Sequence, residues 1–402
     1  MSKEMLKSQI DLMNALLKIM AQTEYPSITV SQICHVAGYN RGTFYQNYSS
    51  KDELLHDTID TKLQDMFKIL KKPTYSISKQ GLNNTYEHLS LYNLLIYVKE
   101  NYTFFKTVIE DKHIIGFRAK IFLNYQNYLQ EMLLNPIENP NKDSDLDKIY
   151  YVYSAAASMG IITFWINQGL KQSPEYLISQ FLAIVYQRPH DLIIGNFPFK
   201  HIKTKGRKEK DPRILRTQKS LSNSLIQLMD DYKYSEIKVN GILEHAHYNR
   251  STFYSHYKSK DDLFLETVMD FVEEMIKSIR KVNDDQSIGY NSPLINFFTY
   301  IYENSKLLEV IGKNNQVPGF YHKIYQGLVD FLCEELNGRF DYDIEIYSNY
   351  LASTLLGVIS LWVYEDLKYS PRFMAKVFKL YLSKLPKESD VNLSMIKAYT
   401  KV

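Results

Sequence analysis

Apolar residues follow helical spacing along most of the chain. Leu12, Leu16 and Met20 recur every four residues, which places them on one face of a first helix. A shorter second helix is predicted to begin at Thr29, because Thr29 and Gln32 form a capping box that satisfies exposed amides at a helix N-terminus. No strand-like alternation of apolar and polar residues accompanies these patterns. The sequence therefore predicts an all-α fold.

A tight turn and a third short helix are predicted next. Ala37 and Gly38 end the second helix, since glycine tolerates the positive φ that such a turn requires. Asn40 is a favourable N-cap for the third helix, and a long fourth helix starts near Lys51. Two short helices joined by a short turn form a helix-turn-helix, whose second helix enters the major groove of DNA. These residues therefore predict a DNA-binding motif.

The motif occurs twice. The stretch NRGTFYQNYSSKDELL, residues 40–55, returns as NRSTFYSHYKSKDDLF at residues 249–264, with ten of sixteen positions identical and a separation of 209 residues. Matches between later segments have separations of 203 and then 197 residues. Each change falls in a polar connection rich in Pro, Asn or Asp, where loops tolerate a change in length. The repeat predicts two copies of one structural unit.

The third helix carries polar residues suited to DNA. Its first residues would meet base edges, and Arg41 has the geometry to donate two hydrogen bonds to guanine O6 and N7. Gly42 and Thr43 follow Arg41, and Phe44 faces the core. Donors for phosphate oxygens, which position a protein without reading the DNA sequence, are present on Tyr45, Asn47, Tyr48 and Lys51.

The segment from Ile28 to Leu55 resembles the DNA-binding domain of the TetR/AcrR family of bacterial transcriptional regulators. The positions that match the family pattern are Thr29, Val30, Ile33, Ala37, Gly38, Gly42, Thr43, Phe44, Tyr45, Tyr48, Lys51 and Leu54. The resemblance implies base contacts by Ser31, Arg41 and Thr43, and phosphate contacts by Tyr45, Asn47 and Lys51. The second copy carries at the corresponding DNA-facing places Asn240, Arg250, Ser251, Thr252, Tyr254, His256 and Lys260.

From Leu91 onward the helical pattern resembles the regulatory domain of TetR-like proteins of Firmicutes. Together with the repeat, this resemblance implies two tandem TetR-like units, each a helix-turn-helix domain followed by a helical ligand-binding and dimerisation domain. The predicted domains are 1–70 and 213–282 for DNA binding, 71–186 and 283–386 for regulation, 187–212 for a basic linker and 387–402 for a tail.

Basic residues are concentrated in one segment of the chain. The net charge of the 402-residue chain is only +3, so attraction to DNA must come from local patches. Between Lys203 and Lys219, eight Lys or Arg residues accompany two acidic residues. Basic arms of this kind follow phosphates or enter a minor groove, and a solvated linker explains the run equally well.

Two uncharged stretches, Tyr150–Leu170 and Ile346–Tyr364, are long enough to cross a bilayer. Both contain Ser and Asn, and both occupy the same place in the repeat, so buried helices explain them better than membrane spans. The N-terminus lacks the apolar block of a secretory signal. The two cysteines, Cys34 and Cys333, do not align between the copies, and we expect both to be buried in a cytoplasmic protein without disulfides.

No enzyme site is predicted. The sequence has no phosphate-binding glycine loop and no cysteine pair with zinc spacing. Glu244, His245 and His247 are neighbours, but adjacent positions on a short helix do not share a face. We therefore expect neither a metal nor a cofactor.

These features predict a ligand-responsive repressor that binds a double-stranded DNA operator. An apolar effector pocket is expected around Phe105, Phe117, Tyr153 and Trp165, although nothing identifies the small molecule. The alternative is a coactivator that works through a protein partner, as some relatives of the Firmicutes type do.

One chain is also expected to supply both halves of a dimer, by pairing its long helices at about 145–186 and 342–384. The operator should be asymmetric, because Ser251 and His256 replace Gly42 and Asn47 in the second recognition helix. That copy also lacks the capping box and has His247 where Gly38 makes the first turn. We therefore expect the first copy to bind DNA more strongly.

Overall fold

A computed structural model describes residues 6–70, 90–110, 117–133, 145–187, 211–280, 293–313, 320–338 and 343–383. All regular structure in these ranges is helical, which confirms the predicted all-α fold. Most of the predicted basic linker, residues 188–210, and the predicted tail lie outside the described ranges.

The helices of the second copy occur in the same order as those of the first. The first copy comprises α1 (Lys7–Met20), a 3-10 turn (Tyr25–Ser27), α2 (Val30–Ala37), α3 (Arg41–Asn47), α4 (Lys51–Leu70), α5 (Ser90–Glu100), α6 (Tyr102–Glu110), α7 (Phe117–Leu133), α8 (Asp145–Asn167) and α9 (Pro174–Gln187). The second comprises α10 (Pro212–Asp231), α11 (Val239–Ala246), α12 (Arg250–His256), α13 (Lys260–Arg280), α14 (Pro293–Glu303), α15 (Ser305–Lys313), α16 (Phe320–Leu336), α17 (Ile344–Tyr364) and α18 (Pro371–Ser383).

Tertiary contacts divide the chain into two units. Among the described residues, unit 1 comprises those up to residue 133 and residues 161–180, and unit 2 comprises residues 145–160 and those from 181 to 383. The division does not follow the sequence repeat, because the first part of α8 and the last part of α9 belong to unit 2.

In unit 1, α1 packs on α2, α3 and α4 around buried Leu12, Leu16 and Phe44. Helix α4 continues beyond this core to contact α5 and α7. The Tyr97 hydroxyl donates to the Lys62 carbonyl at 2.8 Å and joins α5 to α4. Helix α4 therefore links the helix-turn-helix to the helices that follow it.

The same connections recur in unit 2. Helix α10 packs on α11, α13 and α15, while α13 contacts α14 and α16. The Tyr300 hydroxyl donates to the Phe271 carbonyl at 3.2 Å, at the positions that correspond to Tyr97 and Lys62. Each helix-turn-helix is thus tied to its following helices by an equivalent hydrogen bond.

Two glycines bring α8 and α17 together inside unit 2. A Cβ added at Gly160 would lie 2.7 Å from the Asn349 carbonyl oxygen, and one added at Gly357 would lie 2.7 Å from the Ala156 Cβ. These distances are shorter than atomic contact allows, so only glycine fits at either position without a shift of its neighbours.

Helices α8 and α17 are the two whose length and composition would allow a membrane span among the described residues. In the most apolar windows of these helices, 78% and 67% of the residues are buried inside the protein. The helices therefore have the burial of core helices, as the sequence predicted. Cys34 is buried as expected, whereas Cys333 is half-buried.

Candidate nucleic-acid interface

The first recognition helix begins where the sequence predicted. The Thr29 hydroxyl accepts from the Gln32 amide at 3.3 Å, and the Gln32 side chain accepts from the Thr29 amide at 2.8 Å. Gly38 has a φ of 75° and turns the chain out of α2. Asn40 then caps α3, accepting from the Thr43 amide at 2.8 Å. These local contacts place Arg41 at the first position of the recognition helix.

Each recognition-helix arginine contacts a side chain of the preceding helix. Arg41 Nε donates to Ser31 Oγ at 2.9 Å, and its Nη2 donates to the same oxygen. Arg250 Nε donates to Asn240 Oδ1 at 2.9 Å. Ser31 and Asn240 occupy equivalent positions of the repeat. Both residues were predicted at the DNA surface, and both orient an exposed guanidinium in the free protein.

The two recognition helices present the same pattern of exposure. Phe44 and Phe253 are buried within them, and the residues that follow them, Tyr48 and Tyr257, are also buried. Their half-buried residues are Thr43, Asn47, Thr252 and His256, and their exposed residues include Arg41, Gly42, Tyr45, Arg250, Ser251 and Tyr254. Tyr45 and Tyr254 have 57% and 58% of their surfaces exposed, which leaves both phenols accessible to a partner. The predicted DNA-facing residues of these helices thus form one accessible face in each copy.

Tyr48 does not belong to that face. Its side chain is 3% exposed, and its hydroxyl donates to Asp57 at 2.9 Å. Burial raises the pKa of Tyr48, because the charged phenolate would lose its hydration. The prediction that Tyr48 offers a phosphate donor is therefore wrong for the structure as it stands, since the phenol is part of the core.

Lys51 lies at the start of α4 with its ammonium directed into the protein. Its Nζ donates to the carbonyls of Tyr25, Pro26 and Ile28 at 3.1, 3.0 and 2.9 Å. The ammonium also lies 4.7 Å from the centroid of the Tyr25 ring, at a distance typical of a cation-π contact. The Tyr25 hydroxyl in turn donates to Asp52. We call Lys51, Tyr25 and Asp52 the first buckle.

Lys260, Tyr234 and Asp261 form an equivalent second buckle. Lys260 Nζ donates to the carbonyls of Tyr234 and Ile237, the latter at 2.8 Å, and lies 4.1 Å from the Tyr234 ring centroid. Tyr234 donates to Asp261 at 2.6 Å. Partial burial lowers the pKa of the Lys260 ammonium. Both lysines were predicted to contact phosphates, but their ammonium groups bind main-chain carbonyls in the free protein.

The second helix-turn-helix has the defects that its sequence predicted. Lys238 provides no side-chain cap for α11, and Gly241 lies inside that helix, where an added Cβ would meet no atom within 4 Å. His247 adopts a φ of 58° in the turn. A non-glycine residue in this left-handed region is strained, by an energy of roughly 1 kcal/mol. Asn249 nevertheless caps α12 as Asn40 caps α3.

The residues expected to line an effector pocket fall in different units. Phe105 and Trp165 are buried in unit 1, where the Trp165 indole donates to the Gln172 carbonyl at 2.8 Å. Tyr153 belongs to unit 2, and its ring contacts Tyr350. The side chain of Phe117 lies outside the described part of the chain. Within the described ranges, no group of His, Cys, Asp and Glu is suited to hold a metal ion.

Comparisons with known proteins agree with this arrangement. The profile described as "Bacterial regulatory proteins, tetR family" matches residues 12–58 and 226–267. The profile described as "Transcriptional regulator C-terminal region" matches residues 87–187 and 290–384. Both domain types are thus present in both copies.

Similarity to a whole protein extends over both copies. The uncharacterized HTH-type transcriptional regulator YxbF of Bacillus subtilis (strain 168) is 23% identical over 375 residues, covering 92% of this chain and 94% of the relative. Among solved structures, the dihydroxyacetone kinase operon activator DhaS is 24% identical, covers 44% of this chain and 95% of its own, and has a TM-score of 0.33. With both family domains present twice, the chain belongs to the TetR family of bacterial regulatory proteins and is a DNA-binding transcription regulator.

Proposed function

We propose that the chain is a ligand-responsive repressor that acts as an intramolecular pseudo-dimer on an asymmetric operator. The observation that carries this proposal is a set of reciprocal contacts between equivalent residues of the two copies. In a two-fold interface, residue i of one half contacts residue j of the other, and the converse contact also forms. Contacts of this kind are present between α8 and α17.

The glycine contacts are the first reciprocal pair. Gly160 approaches the Ser353 side chain, while Gly357 approaches Ala156. Gly160 and Gly357 are 197 residues apart, and so are Ala156 and Ser353. Each glycine of one copy therefore packs against the same position of the other copy.

Aromatic contacts repeat this relationship. The Tyr153 ring lies 5.6 Å from the Phe378 ring, and the Tyr350 ring lies 6.4 Å from the Phe181 ring. Tyr153 and Tyr350 are equivalent, as are Phe181 and Phe378, both pairs being 197 residues apart. The reciprocity supports a local pseudo-two-fold axis that passes near the two tyrosines.

Covalent linkage favours pairing within one chain. Tethering raises the effective concentration of the second half to roughly millimolar, so the intramolecular pair should exclude a second chain. The two recognition helices differ at Gly42 and Ser251 and at Asn47 and His256, so a symmetric palindrome would suit at most one of them. We therefore infer two unlike half-sites.

The base contacts predicted from the sequence form part of the same proposal. Base reading is assigned to Arg41 and Arg250, supported by their exposure and by their orienting contacts with Ser31 and Asn240. In this proposal, a small molecule bound by the helices that follow each helix-turn-helix would act on it through the hydrogen bonds that join α5 to α4 and α14 to α13. The domain boundary after residue 70 is supported by the family profiles, one of which ends at residue 58 and the other of which begins at residue 87. We expect the protein to act in the cytoplasm, where bacterial DNA lies.

Selection of bound sequences from random double-stranded DNA tests the proposal. The purified chain should enrich one motif with two unlike halves, and light scattering should give the mass of one 47.3 kDa chain. A coactivator that needs a protein partner would enrich a motif only when cell extract is added. A stable dimer of chains that enriches a perfect palindrome would contradict the pseudo-dimer.

A further inference from the structure

An open cleft of about 460 Å³ lies between α10 and α11 of unit 2. Its charged and titratable lining residues are Arg216, Lys219, His245 and His247, and Asn223 and Ser224 lie among them. No carboxylate is among the described residues that line it. His245 Nδ1 lies 3.3 Å from the Ser224 hydroxyl. The cleft therefore presents cationic and neutral hydrogen-bonding groups, which suit an anion.

The first copy has a different surface at the equivalent positions. Ile10 and Val36 stand where the second copy has Lys219 and His245, and they are 45% and 42% exposed. Asp11 stands at the position of Ser220 and accepts a hydrogen bond from Tyr39 at 2.9 Å. Lys7 and Lys18 stand at the positions of Arg216 and Gln227, so the first copy keeps two lysines at this surface but has no counterpart of Lys219 or His245. Since the first copy forms the same helices, the helix-turn-helix fold does not require Lys219 or His245.

The cleft adjoins the end of α11 that leads into the recognition helix. His247 forms the turn, Asn249 caps α12, and Arg250 is its first residue. A group bound in the cleft would therefore lie close along the chain to the residue assigned to base reading. The chain that enters α10 also carries a dense basic run. DNA phosphates have the matching negative charge.

We propose that this cleft binds backbone phosphates of DNA beside the second half-site, through a set of residues of which Lys219 and His245 have no counterpart in the first copy. The proposal rests on DNA binding by the second helix-turn-helix. It assigns the copies unequal tasks: the first contributes more sequence reading, and the second contributes more salt-dependent anchoring. Arg216 and Lys219 supply the charge, while His245 and Asn223 supply hydrogen bonds.

The test measures binding of the full chain to a random-sequence duplex of about two helical turns at several salt concentrations. Each lost phosphate contact should make the slope of log affinity against log salt shallower by about 0.9. The double variant Arg216→Gln with Lys219→Ile should therefore lose nearly two units of slope. Its preferred DNA sequence should stay the same, because phosphate contacts do not read bases.

A reciprocal variant gives an independent readout. Ile10→Lys with Val36→His introduces second-copy residues into the first copy and should steepen the slope by up to about one unit. Lys68→Ile is the matched control, because Lys68 is 70% exposed and lies 17 residues beyond the start of α4, roughly 25 Å along the helix. Its slope should equal that of the wild type.

The outcomes separate this proposal from the proposed function. Wild-type binding with a slope that changes in neither double variant would overturn the cleft proposal alone. A wild-type chain that binds no duplex would overturn DNA binding and, with it, the cleft. A shallower slope for the cleft variant together with a steeper slope for the reciprocal variant is the supporting result.

Discussion

The hydroxyls of Tyr153 and Tyr350 lie 2.6 Å apart within unit 2, although the residues are 197 positions apart in the sequence. The two residues are equivalent in the repeat, and both are buried, with 5% and 4% of their surfaces exposed. Each hydroxyl is therefore the hydrogen-bonding partner of its own counterpart. Such a self-pairing is expected close to a two-fold axis.

Removing one hydroxyl of this pair should destabilise the protein more than removing both. Tyr153→Phe leaves the Tyr350 hydroxyl buried without this partner, which costs about 1 to 3 kcal/mol. The double variant Tyr153→Phe with Tyr350→Phe should restore much of the loss. Denaturant unfolding of the wild type, of Tyr153→Phe, of Tyr350→Phe and of the double variant gives the coupling energy between the two hydroxyls. Additive losses of stability would contradict a direct hydrogen bond.

The same pair should make stability sensitive to alkaline pH. Burial raises the pKa of Tyr153 and of Tyr350, so the folded state keeps both phenols neutral at a pH where the unfolded chain ionises. Their contribution is fully present below the unfolded pKa of about 10 and is lost as pH rises above it. The free energy of unfolding, measured from pH 9 to 11, should decrease less for the variant with both Tyr153→Phe and Tyr350→Phe than for the wild type.

Substitution of Gly160 tests the close approach of α8 and α17. Gly160→Ala places a Cβ 2.7 Å from the Asn349 carbonyl oxygen, so it should destabilise by about 1 to 3 kcal/mol, as overpacking does. Gly241→Ala is the matched control, because no atom lies within 4 Å of the new Cβ. It should stabilise by up to about 1 kcal/mol, since Ala is a better helix former. Equal changes in Tm, in the same direction, for Gly160→Ala and Gly241→Ala would contradict the close approach of α8 and α17.

Lys51→Ala separates the buckle from a phosphate contact. Because the ammonium already donates to three carbonyls, we expect a lower Tm and an unchanged slope of DNA affinity against salt. A direct phosphate contact would instead make that slope shallower by about one unit. Lys260→Ala should behave in the same way. A shallower slope at wild-type stability would mean that the lysine leaves its buckle when DNA binds.

Arg41→Ala should cost about 1 to 3 kcal/mol on the preferred DNA site and little on random DNA, because a base contact is lost. Arg250→Ala should cost less, because α11 has no side-chain cap and His247 is strained in its turn.

Lys238→Thr with Gly241→Gln should strengthen binding by the second copy, since it installs the capping box of the first. Footprinting of each half-site measures these effects, and equal losses for both arginines would argue against unequal copies.

Local structure was predictable because it depends on neighbouring residues. The capping box of Thr29 and Gln32, the turn at Gly38 and the N-cap at Asn40 each involve groups within a few positions of one another. The repeat then extended the same prediction to the second copy, including its left-handed His247. Helical spacing of apolar residues was enough for the fold class.

Tertiary structure decided which polar groups remain available to a partner. Nothing near Tyr48 or Lys51 in the sequence shows that the phenol meets Asp57 or that the ammonium meets carbonyls 23 to 26 residues earlier. The cleft likewise depends on the packing of α10 against α11, and the hydrogen bond between Tyr153 and Tyr350 spans 197 residues. The sequence by itself determined the helices, their caps and the duplication. Helices and caps depend on the spacing of nearby residues, and the duplication is visible when the two halves of the sequence are aligned. Only folding decided these long-range pairings, because a side chain suited to DNA is equally suited to a buried carbonyl or carboxylate until packing brings one of them within reach.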